Sequence, residues 1–563
     1  MNVRIKFFIV LLFCICSLPL FSQNYLEINL NERSGGFFAK PKQPLEIFRV
    51  IEKAANDKKI QGIILNMSSF YADREHLWEL RTSLEQFKES GKKICAFISH
   101  ADMDLYNLAT VADAIVMDEL GTLLLTGYAV SRGYMRHSLE KLGIGAREMR
   151  YFEYKSAAES YTRDSMSEAD RKQYGDFLDD VFGFTGNTIK NARNLSDEEF
   201  DNILNNEFMF SARGALERNL VDGVGRKNAV ASAIRKLDGA EPSFYLLYGN
   251  SYSSLTGAIA SYSPPKPGIF TRPPIIAVVY ADGQTDMEMG MGVLYMSNII
   301  RELANRSRVR AIVVRINSPG GSAEAADYLA EAIRYARFRK PVVVSMGEVA
   351  ASGGYWAAIY ANRIVATPYT ITGSIGVIGS WFFDNGIYNK LGLTTDNIKR
   401  GERADLMTGI LLPYRDLDEA EEERYKKYIV DLYDVFIEKV ASGRKMTVED
   451  VEAVAQGRIF SGTRAVEAGL VDEIGGISDA LRIARNLANI PENKSVLYKK
   501  YPEPTFMDKM IELLTTEAVL HRETSRQLEA ASFFSNMILS ADILYRLGKN
   551  GQVMPILPME FSF

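Results

Sequence analysis

Short apolar runs alternate with amphipathic stretches along most of the chain. In the second half, apolar and β-branched residues fill Ile275 to Tyr280, Ala311 to Ile316 and Pro341 to Met346. The stretches between them, near Val293 to Asn305 and Ala323 to Phe338, carry apolar residues at helical spacing. This β-α-β-α-β order predicts a parallel or mostly parallel sheet with helices packed on it, so the expected fold class is α/β.

The same pattern occurs twice in the chain. Segments about 249 residues apart match in residue type and order, as Ile60 to Leu65 matches Val309 to Val314. The clearest match has an offset of 250 and no gap. It aligns Phe210, Ser211, Ala215, Glu217, Leu220, Val221, Asp222 and Gly225 with Phe460, Ser461, Ala465, Glu467, Leu470, Val471, Asp472 and Gly475. The body of the protein is therefore predicted to be a tandem duplication.

The repeat and the local composition together predict the domain boundaries. The two β-α-β domains are expected over residues 25–250 and 275–500. Residues 251–274 between them are expected to form a linker, because they include a proline-rich stretch that disfavours both helix and sheet. Residues 501–563 contain amphipathic stretches and are predicted to be a C-terminal helical extension.

Residues 1–24 have the layout of an export signal. Two basic residues precede an uncharged apolar run from Phe7 to Phe21, and polar residues follow it. The run is 15 residues long, shorter than the roughly 20 that span a bilayer, which favours a cleaved signal peptide. Leu20 is bulky for a cleavage site, so a retained membrane anchor stays open. Either alternative sends the body across the cytoplasmic membrane.

Composition excludes several classes of function. Apolar residues make up 47% of the chain and the formal net charge is −5, so neither disorder nor a basic nucleic-acid surface is indicated. The four histidines are scattered and no cysteine or histidine cluster has the spacing of metal ligands. Cys95 lies in an apolar stretch that reads as a buried strand. No metal, cofactor or nucleic acid is predicted.

Two glycine-rich turns of the second copy each follow a buried strand and open a helix. Ligands meet α/β folds at such places. The first turn runs from Asn317 to Ser322, where Ser322 can cap the next helix and the glycines free backbone N–H groups for an oxyanion. The second runs from Met346 to Tyr355 and sets Ser352 among small residues. Ser352 is a candidate nucleophile there, and a plain helix cap is the alternative.

The base that would activate Ser352 is not a nearby histidine. His76, His100, His137 and His521 all lie outside the second copy. Their positions leave a spatial triad open but strengthen the case for a lysine, whose pKa must then fall from about 10.4 through burial or nearby positive charge.

The two copies have lost complementary residues. Opposite the glycine turn at Ser318, the first copy has Ser69, Phe70, Tyr71 and Ala72, and opposite Ser352 it has Met103 or Leu105, depending on a two-residue gap. Conversely, Lys155 of the first copy stands opposite Ala404. A site shared between the copies, with Ser352 from the second and Lys155 from the first, accounts for both losses.

These residues resemble the signal peptide peptidase A family, in its long duplicated form, within the ClpP/crotonase superfold. The resemblance covers nearly the whole body and rests on five motifs. They are Ser318-Pro319-Gly320-Gly321, Ala351-Ser352-Gly353-Gly354-Tyr355-Trp356, Thr372-Gly373-Ser374-Ile375-Gly376, Tyr154-Lys155-Ser156-Ala157 and Gly469-Leu470-Val471-Asp472. The implied fold is a tandem duplication of a ClpP/crotonase-like β-α-β domain.

The resemblance implies a Ser/Lys dyad. Ser352 would attack a peptide carbonyl, and Lys155 would take its proton and pass it to the leaving amine. Ser374 matches the position of a hydroxyl that orients the lysine, with Tyr128 as its counterpart in the first copy. The backbone N–H groups of Gly321 and Gly353 are the expected oxyanion hole. Whether Lys155 serves Ser352 of its own chain or of a neighbour stays open.

The resemblance also implies partners and a location. It suggests a homo-oligomeric bowl, commonly a tetramer, that admits extended peptides, with remnants of cleaved signal peptides as the substrate class. The protein would be membrane-associated and face the periplasm, or be periplasmic if its N-terminal segment is cleaved. Two alternatives are a crotonase-type acyl-CoA enzyme, which the export signal disfavours, and a catalytically silent envelope scaffold.

Overall fold

The computed structural model describes residues 23–30, 45–58, 60–68, 70–239, 242–245 and 273–503. Three predicted segments lie outside these ranges apart from a few terminal residues. They are the signal peptide or anchor over 1–24, the proline-rich linker over 251–274 and the helical extension over 501–563. Within the described residues, no helix is both long and apolar enough to cross a membrane.

The first copy alternates strands and helices from its start. Its elements are β1 (Gln23–Asn29), α1 (Leu45–Asn56), β2 (Gly62–Asn66), α2 (Arg74–Lys88), β3 (Lys93–Ala101), α3 (Met103–Ala109), β4 (Ala114–Leu124), α4 (Arg136–Leu142), β5 (Ile144–Met149), α5 (Glu159–Thr162), α6 (Glu168–Arg193), α7 (Asp197–Asn202), a π-helical turn (Ile203–Glu207), β6 (Met209–Ser211), α8 (Ala212–Glu217), β7 (Gly223–Val224), α9 (Ala229–Asp238) and β8 (Pro242–Tyr245).

The second copy follows a similar order, except that residues 378–418 hold a strand followed by one short helix where the first copy has α4, β5 and α5. Its elements are β9 (Ile275–Asp282), α10 (Val293–Asn305), β10 (Val309–Ser318), α11 (Ala323–Arg337), β11 (Val342–Ala351), α12 (Gly353–Ala358), β12 (Arg363–Ala366), β13 (Ile371–Gly373), β14 (Gly379–Asp384), α13 (Ile387–Leu391), α14 (Glu419–Arg444), α15 (Val448–Val454), β15 (Ile459–Ser461), α16 (Gly462–Glu467), β16 (Glu473–Ile474), α17 (Ile477–Leu487) and β17 (Leu497–Tyr501). The strands and helices predicted between residues 275 and 346 are confirmed.

Each copy builds its own sheet with an equivalent strand order. The first sheet has the order β6-β4-β3-β2-β1-β8, and the second has the order β15-β13-β11-β10-β9-β17. All pairs along these orders are parallel except β4–β6 and β13–β15. The central strands are buried along almost their whole length, as continuous apolar runs in parallel sheets require. The duplication predicted from the sequence is thus present in the topology.

One strand of the first sheet is divided in the second. The strand β4 is continuous in the first copy, whereas its place in the second copy is taken by β12 and β13, separated by residues 367–370. Pro368 lies in that gap. Proline cannot donate to a ladder, so the strand is interrupted there. The short strand β13 then leads directly into Ser374.

The motif that ends each copy forms the same clasp in both. In the second copy Asp472 accepts hydrogen bonds from the Ile364 amide at 2.6 Å and from the Arg444 guanidinium at 3.0 and 3.1 Å. In the first copy Asp222 accepts from the Ile115 amide at 2.7 Å and from Arg193 at 3.1 Å. In each copy the clasp ties the end of a long helix, α6 or α14, to the sheet, so both copies need the same residues there.

The compact units of the chain differ from the two sequence copies in one segment. One unit contains the chain up to Tyr128 together with Phe182–Gly268, and the other contains Ala129–Val181 together with the second copy. We call residues 129–181 the first arm. The first arm belongs to the first copy by sequence but packs in the second unit, where β5 pairs with β14 in antiparallel register. It carries Lys155.

Candidate active site

Ser352 occupies a strained turn between β11 and α12. Its backbone has φ 54° and ψ −116°, which non-glycine residues rarely adopt and which costs about 1–3 kcal/mol. The amide of Ser352 donates to the Gly373 carbonyl at 2.8 Å, and its carbonyl accepts from the Trp356 amide at 2.8 Å. The side chain makes no capping hydrogen bond to α12. The alternative in which the Ser352 side chain caps α12 is therefore wrong.

Lys155 of the first arm points at the Ser352 hydroxyl. Its Nζ lies 2.9 Å from Ser352 Oγ, and both side chains are buried, with Lys155 only 1% exposed. Burial lowers the pKa of the Lys155 ammonium from its ordinary value of 10.5 to about 7. The amine is thus uncharged in a large fraction of molecules at neutral pH and able to accept a proton.

Ser374 completes the surroundings of the lysine. Lys155 Nζ lies 2.9 Å from both the carbonyl oxygen and the hydroxyl oxygen of Ser374. Ser374 has φ 50°, and its amide donates to the Arg458 carbonyl at 2.7 Å. This unusual backbone conformation turns both Ser374 oxygens toward the same nitrogen. Together with Ser352 they give Nζ three oxygen neighbours.

The two glycine turns meet beside Ser352. A Cβ placed on Gly353 would lie 3.2 Å from the amide nitrogen of Gly321, so the two backbones are in near contact. Gly321 has φ 155°, and a Cβ there would lie 2.1 Å from the Thr285 carbonyl oxygen, which only glycine avoids. In the part of the chain that the structure describes, neither the Gly321 nor the Gly353 amide donates to a protein group. Both remain available to a ligand oxygen.

Two glycines pack closely against Lys155 and fix the position of its backbone and side chain. A Cβ on Gly457 would lie 2.5 Å from Lys155 Cβ, and one on Gly376 would lie 3.3 Å from Lys155 Cδ. Gly457 has φ 82°. The two glycines form a narrow channel for the lysine side chain, and the sequence comparison did not single out Gly457.

A buried polar network holds the turn that carries Lys155. Gln173 on α6 donates to the Tyr154 carbonyl at 3.1 Å and to Ser156 Oγ at 3.1 Å, so it grips the residues on both sides of the lysine. Its Oε1 accepts from the Ile459 amide at 3.1 Å. Ser156 also donates to Asp170, whose carboxylate pairs with Arg132 at 2.6 Å. This network ties the first arm to the second copy's sheet.

The network was not found from the sequence. Asp170 and Gln173 lie one helical turn apart and face the same side, but this spacing is common on exposed helices. Their role becomes visible only in the folded chain, where α6 packs against the turn that carries Lys155. No cluster of histidine, cysteine or acidic side chains in the described residues could hold a metal ion.

The equivalent place in the first copy holds different chemistry. After β3 the residue at the strand-to-helix turn is Asp102, one position before Met103, and its side chain caps α3 by accepting from the Leu105 amide at 2.8 Å. At this turn the first copy therefore has a capping carboxylate, and Met103 and Leu105, which the sequence comparison set opposite Ser352, follow it on α3.

The expected match of Tyr128 with Ser374 is wrong. The register of β4 with β6 and of β13 with β15 sets Leu125 at that position, and the Leu125 amide donates to the Phe208 carbonyl as the Ser374 amide donates to the Arg458 carbonyl. The hydroxyl of Tyr128 donates to Asp104, which pairs with Arg74 at 2.8 Å. The Arg74 guanidinium lies 4.3 Å from the centroid of the Tyr128 ring. In the first copy, charged and aromatic groups thus contact one another at the start of α3.

Comparison with known proteins gives the same division into two copies. The model of peptidase family S49 matches residues 86–241 and 335–491. Protease 4 of Haemophilus influenzae is 30% identical over 501 residues, which cover 86% of this chain and 79% of that one. The chloroplastic serine protease SPPA of Arabidopsis thaliana is 31% identical over 464 residues, covering 80% of this chain and 67% of that one.

Among solved structures, ClpP1 from Listeria monocytogenes is 18% identical and covers 36% of this chain and 94% of that chain, with a TM-score of 0.24. The two family matches begin 249 residues apart, the offset of the repeat. They confirm the predicted tandem duplication, the two sheets confirm the α/β fold class, and the relatives confirm the expectation of a serine peptidase. The chain belongs to peptidase family S49.

Proposed function

We propose that the protein is an endopeptidase that cleaves extended peptides with a dyad of Ser352 and Lys155. The observation that carries this proposal is the 2.9 Å approach of the buried Lys155 Nζ to Ser352 Oγ. A lysine in water would be protonated at neutral pH and could not act as a base. Burial of Lys155 removes that obstacle, since the pKa of its ammonium falls to about 7.

In the proposed reaction, Lys155 Nζ takes the hydroxyl proton as Ser352 Oγ bonds to the substrate carbonyl carbon. The negative charge that develops on the carbonyl oxygen is bound by the N–H groups of Gly321 and Gly353. Lys155 then gives the proton to the leaving amine, and the peptide C–N bond breaks. A water molecule repeats the sequence on the acyl-enzyme, restoring Ser352 and releasing the acid.

Ser374 acts as the positioning residue for the base. Its carbonyl and hydroxyl oxygens each lie 2.9 Å from Lys155 Nζ. Oxygen acceptors on two sides orient the lysine so that its lone pair faces Ser352. The hydrogen bonds also favour the ammonium that forms after proton transfer, which stabilises the charge present in the transition state.

Remnants of signal peptides are the proposed substrate class, and the membrane facing the periplasm, or the periplasm itself, is the proposed location. Both proposals rest on the motif resemblance and on the export-signal layout of residues 1–24. A homotetramer is proposed on the same resemblance. Family membership disfavours the acyl-CoA alternative, and a silent scaffold is distinguished by the first experiment below.

Removing either member of the dyad is expected to abolish peptide cleavage. Ser352→Ala and Lys155→Ala should each lower kcat/KM for a fluorogenic peptide by at least about 10³-fold, because each removes a group needed in the transition state. The exposed residues Ser478 and Lys427 provide matched controls, and Ser478→Ala and Lys427→Ala should keep wild-type activity. More than a tenth of wild-type activity in either dyad variant would contradict the assignment.

Activity should follow the protonation of Lys155. The base must be neutral, and its pKa in the folded protein is about 7, so kcat/KM should rise about tenfold per pH unit below 7 and level off above it. Initial rates between pH 5 and 10 measure this profile, and the unfolding temperature at each pH controls for loss of structure. An inflection near 10, as for a solvated lysine, would show that Lys155 is not the base.

A methyl group at Gly457 is expected to displace the lysine. Gly457→Ala should lower kcat by about 10²-fold with little change in KM, since a misplacement near 1 Å costs about that factor. Gly469→Ala is the matched control, because Gly469 has a similar φ of 72° but has room for a methyl group. A Cβ there would lie no closer than 3.8 Å, from Met446 Sδ, to any atom outside the adjoining residues. Equal kcat in the two variants would refute the packing argument.

A further inference from the structure

The second copy has its own version of the first arm. At the repeat offset of 249 residues, 129–181 corresponds to 378–430, which we call the second arm. Lys155 on the first arm aligns with Ala404 on the second. The two arms therefore correspond in sequence but differ in their elements, and only the first carries a lysine at this position.

Corresponding apolar residues of the two arms differ sharply in burial. Met149 of the first arm is 3% exposed and packs beside Gly379, whereas its counterpart Ile398 is 90% exposed. Ala158 is 2% exposed, and its counterpart Met407 is 47% exposed. At these two positions the second arm exposes apolar side chains that the first arm buries, whereas Tyr388, the counterpart of the buried Leu139, is itself buried. Such exposed apolar residues indicate an interaction surface.

Strand pairing shows the same contrast. In the second unit β5 pairs with β14, with Met149 opposite Gly379 and Ile144 opposite Asp384. The counterpart of β5 is Leu393–Ile398, and the counterpart of β14 is Val130–Met135. Among the described residues neither segment belongs to a strand. One pairing of the repeat is therefore formed within the chain, and the equivalent pairing is missing.

We propose that Leu393–Ile398 of one copy pairs in antiparallel register with Val130–Met135 of a second copy of this chain. Shifting the observed register by the repeat offset sets Ile398 opposite Val130 and Leu393 opposite Met135. Both ends of the new pairing then match apolar side chains. Cross-strand apolar pairs of this kind stabilise sheets by roughly 0.2–1 kcal/mol each.

The repeat itself identifies the occupant as a second copy. The partner strand that the second arm lacks has the same ancestry as β14, and the chain carries it once, at residues 130–135. The contact is heterologous, since one segment meets a different segment of the next copy. Each added copy again offers one segment of each kind that belongs to no strand, so the contact propagates until a ring closes. The in-chain junction would thereby recur at every boundary between copies.

Disulfide trapping tests the pairing at residue level. Two differently tagged chains, one carrying Val130→Cys and the other Ile398→Cys, are co-expressed with Cys14 and Cys16 replaced by serine. Cys95 is retained because it is buried, and burial raises the pKa of its thiol to about 12. Directly opposed residues of antiparallel strands have Cα atoms about 4.5–5.5 Å apart, within disulfide range. Mild oxidation should therefore give the mixed-tag disulfide dimer in high yield.

The control moves one cysteine by one residue. Ser131→Cys with Ile398→Cys should give little of the mixed-tag dimer, because successive strand residues face opposite sides of a sheet. Unfolding midpoints within a few degrees of wild type verify that the variants fold. Absence of the Val130–Ile398 dimer, or an equal yield from the shifted pair, would overturn the proposed register whether or not the chain cleaves peptides.

Discussion

The contact between Lys155 Nζ and Ser352 Oγ is the interaction on which the rest of the second unit depends. Burying an ammonium is costly, so burial favours the neutral amine of Lys155. The pKa of its ammonium therefore falls to about 7. The surrounding features serve that placement. Gly457 and Gly376 leave room for the side chain, Gln173 grips its turn, and the strained Ser352 backbone turns the hydroxyl toward it.

Duplication explains how such a site arises from two incomplete halves. Because the first arm packs in the second unit, Lys155 of the first copy lies within hydrogen-bond distance of Ser352 of the second. The first copy has no serine at the corresponding strand-to-helix turn, where Asp102 caps a helix. The second copy likewise needs no lysine and has Ala404 there. What both copies retain is the clasp around Asp222 and Asp472, which holds the fold itself.

Much of the fold and of the candidate site could be predicted from the sequence, because comparing the two copies shows which residues they share and where they differ. The strands between residues 275 and 346, the strand-to-helix turn at Ser352 and the pairing of Ser352 with Lys155 were all predicted from residue patterns. The φ of Ser352, the Gly457 contact and the Gln173 network were not. Each of these depends on segments that approach only in the folded chain, and Gln173 lies 286 residues from the Ile459 amide it binds. Local patterns carry no record of such contacts.

Both members of the proposed dyad come from one chain in this structure, and complementation tests the proposal most directly. Chains carrying Ser352→Ala and Lys155→Ala, each with a different tag, are co-expressed and purified through both tags. If Lys155 serves the serine of its own chain, no complete site forms in the mixed assembly, and its peptidase activity should equal that of the inactive variants alone. Recovery of a substantial fraction of wild-type activity would show that the lysine crosses to a neighbour and would contradict the account.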